Sequence, residues 1–244
     1  MRKIALIITL LSGGYAMGEE NRNWEFRSDE VSVIEVETDE GRIVLKPEEG
    51  EAVKVSLLDG EPSAGCAIEA AAAGGRLRLS ARGKKRAFFF KQACKTGFLV
   101  SAPAGTKLIV KTGSGAVEIG AFGAGGDVFS GAGPILFSGF SGPLRVVTGA
   151  GKVEGEIFSE NTEVKAGSAR IELAWSASPV RGSASIKSGS GPLSFSFPGE
   201  SKMRISRVLG AGSFSSEFVS DSAAPFSLNI IAGAGSVRIA KKSQ

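Results

Sequence analysis

Residues 110–119 read VKTGSGAVEI, residues 128–137 read VFSGAGPILF and residues 146–155 read VVTGAGKVEG. Aligned on their glycines, the three stretches share a valine three residues before the first glycine and an apolar residue four after it. The same small triplet, glycine then serine or alanine then usually glycine, begins at Gly113, Gly131, Gly149, Gly167, Gly189, Gly210 and Gly233. The spacings are 18, 18, 18, 22, 21 and 23 residues, and only Ala169 replaces a third glycine. A fixed period near 20 marks a chain that stacks one supersecondary unit on the next.

The columns beside the triplet say what that unit is. Val117, Ile135, Val153, Ile171, Leu193, Phe214 and Val237 stand four residues after the first glycine. Glu118, Leu136, Glu154, Glu172, Ser194, Ser215 and Arg238 follow them, and Ile119, Phe137, Gly155, Leu173, Phe195, Ser216 and Ile239 come next. Alternation of this kind is the mark of a β-strand with one buried face. Three residues before the triplet, Val110, Val128, Val146, Val164, Ile186, Arg207 and Ile230 form a second column, broken only by the arginine. Phe122, Phe140, Phe158, Trp175, Phe197 and Phe218 recur eight or nine residues after the first glycine and predict an internal aromatic stack. Strands that pair coil on coil rise about 4.8 Å each, which brings like side chains together. The expected fold is all-β, a right-handed β-solenoid (β-helix) with coils of 18–23 residues and glycine at the corners, where the backbone needs positive φ or close approach. A β-propeller needs blades of about 40 residues, and a calcium-binding nonapeptide solenoid needs an aspartate in every turn. Neither pattern is present.

Upstream, residues 31–37, 42–45, 52–57, 76–80 and 98–101 also alternate. They read as irregular coils up to about residue 107, followed by regular coils over 108–241, in one domain spanning 24–241. Ala67 to Ala73 is a short helix or a tight strand, and Lys241 and Lys242 are placed to charge the last coil's edge. Met1, Arg2 and Lys3 followed by the apolar run Ile4 to Leu11, with Gly14 and Ala16 as small residues, read as a signal peptide over 1–16. The mature chain then starts with a tail over 17–23. No cysteine follows the apolar run to carry a lipid. The expected location is exported: periplasm, cell surface or extracellular space.

The 29 basic and 25 acidic residues nearly balance, so bulk charge predicts no nucleic-acid partner. Cys66 and Cys94 are the two cysteines, and in an exported chain such a pair suggests a disulfide. With no histidine and no further cysteine, no zinc site and no other metal or cofactor is expected. The Gly-Ala-Gly and Gly-Ser-Gly strings resemble phosphate-cradling turns, but none opens a helix or ends in Gly-Lys-Ser/Thr. Nucleophilic catalysis through a histidine base is excluded by composition. Glu154 and Glu172, on adjacent coils about 5 Å apart, have the separation of a retaining glycosidase pair. Lys152 and Arg170, two residues before each, give the alternative of a mixed-charge solvated face.

Arg82, Lys84, Lys85, Arg86, Phe88, Phe89, Phe90, Lys91 and Lys95 lie within RGKKRAFFFKQACK, the most unusual patch of the chain. One reading is a basic-aromatic surface loop for anionic lipid headgroups or acidic polysaccharide. The other is a strand whose phenylalanines join the core or a cap while its lysines protect an edge.

FLVSAPAGTKLIVKTGSGAVEI, residues 98–119, and VVTGAGKVEG resemble a bacterial family of putative adhesins, also described as a domain of unknown function with β-strand repeats. The resemblance extends over about 220 residues. It implies a single-stranded right-handed β-helix and carries no catalytic residues over; residues 60–97, around the cysteines, depart from it. The expected function is an exported, non-enzymatic envelope or cell-surface module, an adhesin presenting a repetitive β-helix surface to envelope glycan, an anionic lipid surface or another protein. Two alternatives stand beside it: an assembly element that self-associates through coil ends, and a carbohydrate-active β-helix enzyme.

Overall fold

The computed structural model describes residues 23–58, 65–84 and 93–242; the expected signal peptide, residues 17–22 of the expected tail and residues 85–92 of the basic-aromatic patch lie outside them. The described chain is all-β, with one 3₁₀ turn at Ser28–Glu30. Its strands are β1 (Asn23–Arg27), β2 (Val33–Thr38), β3 (Ile43–Pro47), β4 (Ala52–Leu58), β5 (Cys66–Ala73), β6 (Arg76–Gly83), β7 (Gly97–Ala102), β8 (Lys107–Thr112), β9 (Val117–Ile119) and β10 (Gly126–Ser130). There follow β11 (Ile135–Ser141), β12 (Leu144–Phe158), β13 (Asn161–Trp175), β14 (Gly182–Ser190), β15 (Leu193–Phe197), β16 (Arg204–Ala211), β17 (Phe214–Ser216), β18 (Phe226–Ala234) and β19 (Val237–Lys241).

Two ladders make up the sheet. The first runs β5–β6–β2–β8–β10–β12–β13–β14–β18–β16, parallel throughout except for β5 against β6. The second runs β1–β4–β7–β3–β9–β11–β12–β13–β15–β19–β17, with β1–β4 and β4–β7 antiparallel. The long strands β12 and β13 turn the corner and belong to both.

The columns read from the sequence are the register of these ladders. Val110, Val128, Val146, Val164, Ile186 and Ile230 are neighbours in turn, and so are Val117, Ile135, Val153, Ile171, Leu193 and Val237. All are buried and join one hydrophobic cluster. Each buried side chain removes apolar surface from water on both ladders at once, stabilising by about 1.5–3 kcal/mol apiece for a valine, leucine or isoleucine.

The order of strands at both ends of the ladders differs from simple succession. The pass through β2 and β3 lies between β6/β7 and β8/β9, and the pass through β18 and β19 lies between β14/β15 and β16/β17. The outer row at the C-terminal end is therefore β16/β17, not the C-terminal strand, and Lys241 and Lys242 do not form that edge. Arg207, the misfit of its column, pairs with Ile230 on this outer row, and Ser216 pairs with Ile239. The alanine run forms strand β5, antiparallel to β6.

The aromatic column also needs one correction. Gly139, at φ 77°, adds a residue to β11, so that Phe140 pairs with Ile157 and Ser141 with Phe158. Ile157 is thus the buried side chain there and Phe158 is half-buried. Phe122, Phe140, Trp175 and Phe197 are fully buried, and the last two stack with centroids 4.3 Å apart.

At the corners the first glycine of each triplet serves close approach. A Cβ on Gly131 would lie 2.3 Å from the carbonyl oxygen of Gly113, and one on Gly149 would lie 2.5 Å from that of Gly131. The residue just before the glycine adds chemistry that the triplet reading missed. Thr112 Oγ1 accepts from Gly115 N at 3.0 Å, Ser130 Oγ accepts from Gly133 N at 3.1 Å, and Thr148 Oγ1 donates to Ala150 O at 2.8 Å. These buried hydroxyls satisfy backbone groups that leave the ladder at the bend.

Cys66 and Cys94 are bonded, with Cα atoms 5.2 Å apart. The bridge ties the start of β5 to the approach to β7.

Candidate functional site

Because strands pair in register, outward residues also form rows. On the first ladder Asp127, Arg145, Glu163 and Ser185 follow one another. Their side chains edge a shallow groove of about 330 Å³, which Asn161 and Ser183 also line. Arg145 Nε lies 3.2 Å from Glu163 Oε2, and Lys165 Nζ lies 2.5 Å from Glu163 Oε1. Lys165, then the neighbouring Arg145, holds the Glu163 carboxyl below its ordinary range. The Arg145 guanidinium also sits 5.6 Å from the Phe129 ring centroid, within cation–π reach. The groove therefore presents hydroxyl, amide, carboxylate and guanidinium groups at the strand pitch of about 4.8 Å. Sequence reading missed it, although the outward row Asp127, Arg145, Glu163 repeats at 18 residues in the primary structure.

A second shallow depression of about 350 Å³ adjoins the glycine corner, between Lys165, Lys187 and Ile231. Ile231 is 46% exposed beside Val208, which is 63% exposed, so the C-terminal part of this face is partly apolar.

The second ladder carries the carboxylate pair. Glu154 and Glu172 are register neighbours. Lys152 Nζ bridges them, 2.5 Å from Glu154 Oε2 and 3.0 Å from Glu172 Oε2, while Arg170 reaches Glu172 Oε1 at 3.5 Å. The two carboxylates raise the Lys152 pKa, Glu154 first, and Lys152 lowers that of Glu172. A glycosidase acid must hold a proton near neutral pH, which calls for a raised carboxyl pKa. The ammonium pushes Glu172 the other way.

Of the basic-aromatic patch, Arg82, Lys84 and Lys95 are described. Arg82 pairs with Glu37, and the backbone N–H of Lys84 donates to Gly65 O at 2.7 Å. Lys84 and Lys95 are exposed. Both ends of the patch are gathered by Asp39, whose Oδ2 accepts from Gly83 N at 2.6 Å and Cys94 N at 3.3 Å. Lys85, Arg86, Phe88, Phe89, Phe90 and Lys91 lie outside the described residues.

Among the described residues no group of three or more His, Cys, Asp or Glu is placed to hold a metal ion. Nor is any helix among them long and apolar enough to cross a membrane.

No family model matches the chain, and no curated protein matches its sequence. Among solved structures it is similar to a putative cell adhesion protein from Clostridium sporogenes, at 12% identity and a TM-score of 0.40, over 90% of this chain and 99% of the other. A putative adhesin from Bacteroides fragilis is similar at 14% identity and a TM-score of 0.43, over 89% and 95%. A putative lipid binding protein from Parabacteroides distasonis is similar at 12% identity and a TM-score of 0.42, over 91% and 96%.

Proposed function

We propose that the chain is an exported, non-enzymatic binding module of the cell envelope or surface, a right-handed β-solenoid in which adjacent coils present the same outward positions to an extended polar ligand. The observation that carries this reading is the in-register outward row Asp127–Arg145–Glu163–Ser185 with its shallow groove. A row of polar groups at constant pitch suits a ligand that itself repeats, and an envelope glycan is the class we choose. The buried disulfide supports an oxidising compartment. The bridging of Glu154 and Glu172 by Lys152 supports a solvated charge cluster over an acid–base pair.

Fractionation of producing cells, followed by a glycan array with purified protein, tests the reading. Binding is expected to a polysaccharide class and to weaken about tenfold or more on Arg145→Ala, which removes a charge-assisted donor. The Glu154→Gln/Glu172→Gln variant should bind like the parent. Glycoside cleavage that disappears in that double variant would replace the binding reading with the enzymatic one.

A further inference from the structure

The outer row β16/β17 keeps the parallel register and the glycine corner of the inner rows but breaks their apolar columns at two positions. At the inward positions of the neighbouring pass, Phe226, Leu228, Ile230, Val237 and Ile239 are all at most 1% exposed. Paired with the last three on the outer row are Arg207, Phe214 and Ser216. Two of the hydrophobic columns thus end in polar side chains, Arg207 and Ser216, and a further apolar row laid over them would bury the Arg207 cation and the Ser216 hydroxyl, which is already engaged with Phe218 N and O.

The same row covers its own exposed parts. The Arg207 guanidinium lies 3.7 Å from the Phe214 ring centroid, and Lys241 Nζ lies 5.8 Å from that of Phe218. Ile205 of β16 donates its N–H to Ser220 Oγ at 2.9 Å, and the same hydroxyl donates to Ile205 O at 3.4 Å, so one side chain from the segment after β17 stands where an adjoining strand would supply both partners. Glu217 Oε2 accepts from Lys241 N at 2.9 Å, fastening the returning segment to β19. Strand β16 is at least partly exposed at every residue, and among the described residues its ladder partner is β18 alone.

The strand order gives these details a purpose. The chain leaves β15, lays down the outermost row first in sequence, then returns to fill the slot between β14/β15 and β16/β17 with the pass that carries Phe226, Leu228, Ile230, Val237 and Ile239. We propose that the β16/β17 pass is a built-in end cap, in which Arg207, Ser216 and Ser220 keep the edge from pairing with the same edge of a second copy. Such a pairing would be antiparallel and two-fold symmetric, β16 against β16, because the same edge meets itself. The cap confines binding to the side faces, and it rests on strand order rather than on the ligand class proposed above.

The test restores the column. Sedimentation velocity over a concentration series is run on the oxidised full chain and on Arg207→Val/Ser216→Ile, with circular dichroism and thermal midpoints confirming that each is folded. The double variant should self-associate at least about tenfold more tightly than the parent, and Val208→Lys added to it should reverse the gain, since position 208 lies on the edge strand. Should the double variant misfold, Ser220→Ala, which frees the edge groups of Ile205, reads the same association. Equal association of the folded variant and the parent overturns the cap. So does a parent that already dimerises and is made monomeric by Val208→Lys.

Discussion

Val153 and Glu154 differ by one position and by everything around them. Val153 is fully buried between Ile135 and Ile171, whereas Glu154 lies on the outward row against Lys152. Val153→Asp places an unpaired carboxylate in the core and should cost several kcal/mol, while Glu154→Val loses only a solvent-screened surface ion pair and should cost little. Urea midpoints measure both, and equal tolerance would contradict the register. Thr162 makes the opposite case. Its hydroxyl is the buried side-chain oxygen that finds no hydrogen-bond partner among the described residues, so Thr162→Val should raise stability by about 1 kcal/mol by the same assay. Glu35 supplies a pH dependence. Lys111, and then Arg76, lower its carboxyl pKa against the opposing effect of burial. A depressed folded pKa contributes stability above the unfolded carboxyl range, and that contribution is lost as pH falls through the folded value. Glu35→Gln should therefore cost about 1 kcal/mol near neutrality and flatten the acid limb of a stability-versus-pH curve. A parallel, uniformly shifted curve would remove Glu35 from the acid response.

At the scale of elements, the bulge in β11 decides which aromatic is structural. Period alone places Phe122, Phe140 and Phe158 in one stack. The extra residue at Gly139 turns β11 by one position against β12, and the branched Ile157 takes the inward place instead. Phe140→Ala should open a cavity costing about 3–5 kcal/mol, and Phe158→Ala should cost clearly less. Chemical denaturation of the two variants in parallel checks the difference, and a reversed order would restore the unbroken stack. The corners show the same division. Glycine repetition was visible in the sequence, as were the Thr and Ser that precede it, but the backbone bonds of those hydroxyls depend on a bend that propensity does not specify.

At the scale of the whole molecule, the disulfide closes the least regular end. Its cysteines are 28 residues apart and join the antiparallel β5–β6 pair to the approach to β7. In the chain-entropy model a loop of that length confers about 3–4 kcal/mol. Reduction, or Cys66→Ser with Cys94→Ser, should lower the urea midpoint accordingly; an unchanged midpoint would show that the end is held by packing alone. Alternation and the near-20-residue period determined by themselves that the chain is all-β, that the columns through Val146 and Val153 turn inward and where glycine must stand, because both the pleat and the crowding at a corner are local consequences of residue type. The pairing of Cys66 with Cys94 followed from there being two cysteines. The groove and the bridging of Glu154 and Glu172 by Lys152 needed the register between strands. The order of the end strands needed more still, since ladder hydrogen bonds are made by backbone and are alike for any neighbouring strand. Only the packed molecule sets β2/β3 inside β6/β7 and β18/β19 inside β16/β17. In that arrangement the apolar pass β18/β19 has a neighbour on each side, and the columns that end in Arg207 and Ser216 do so on the exposed outer row.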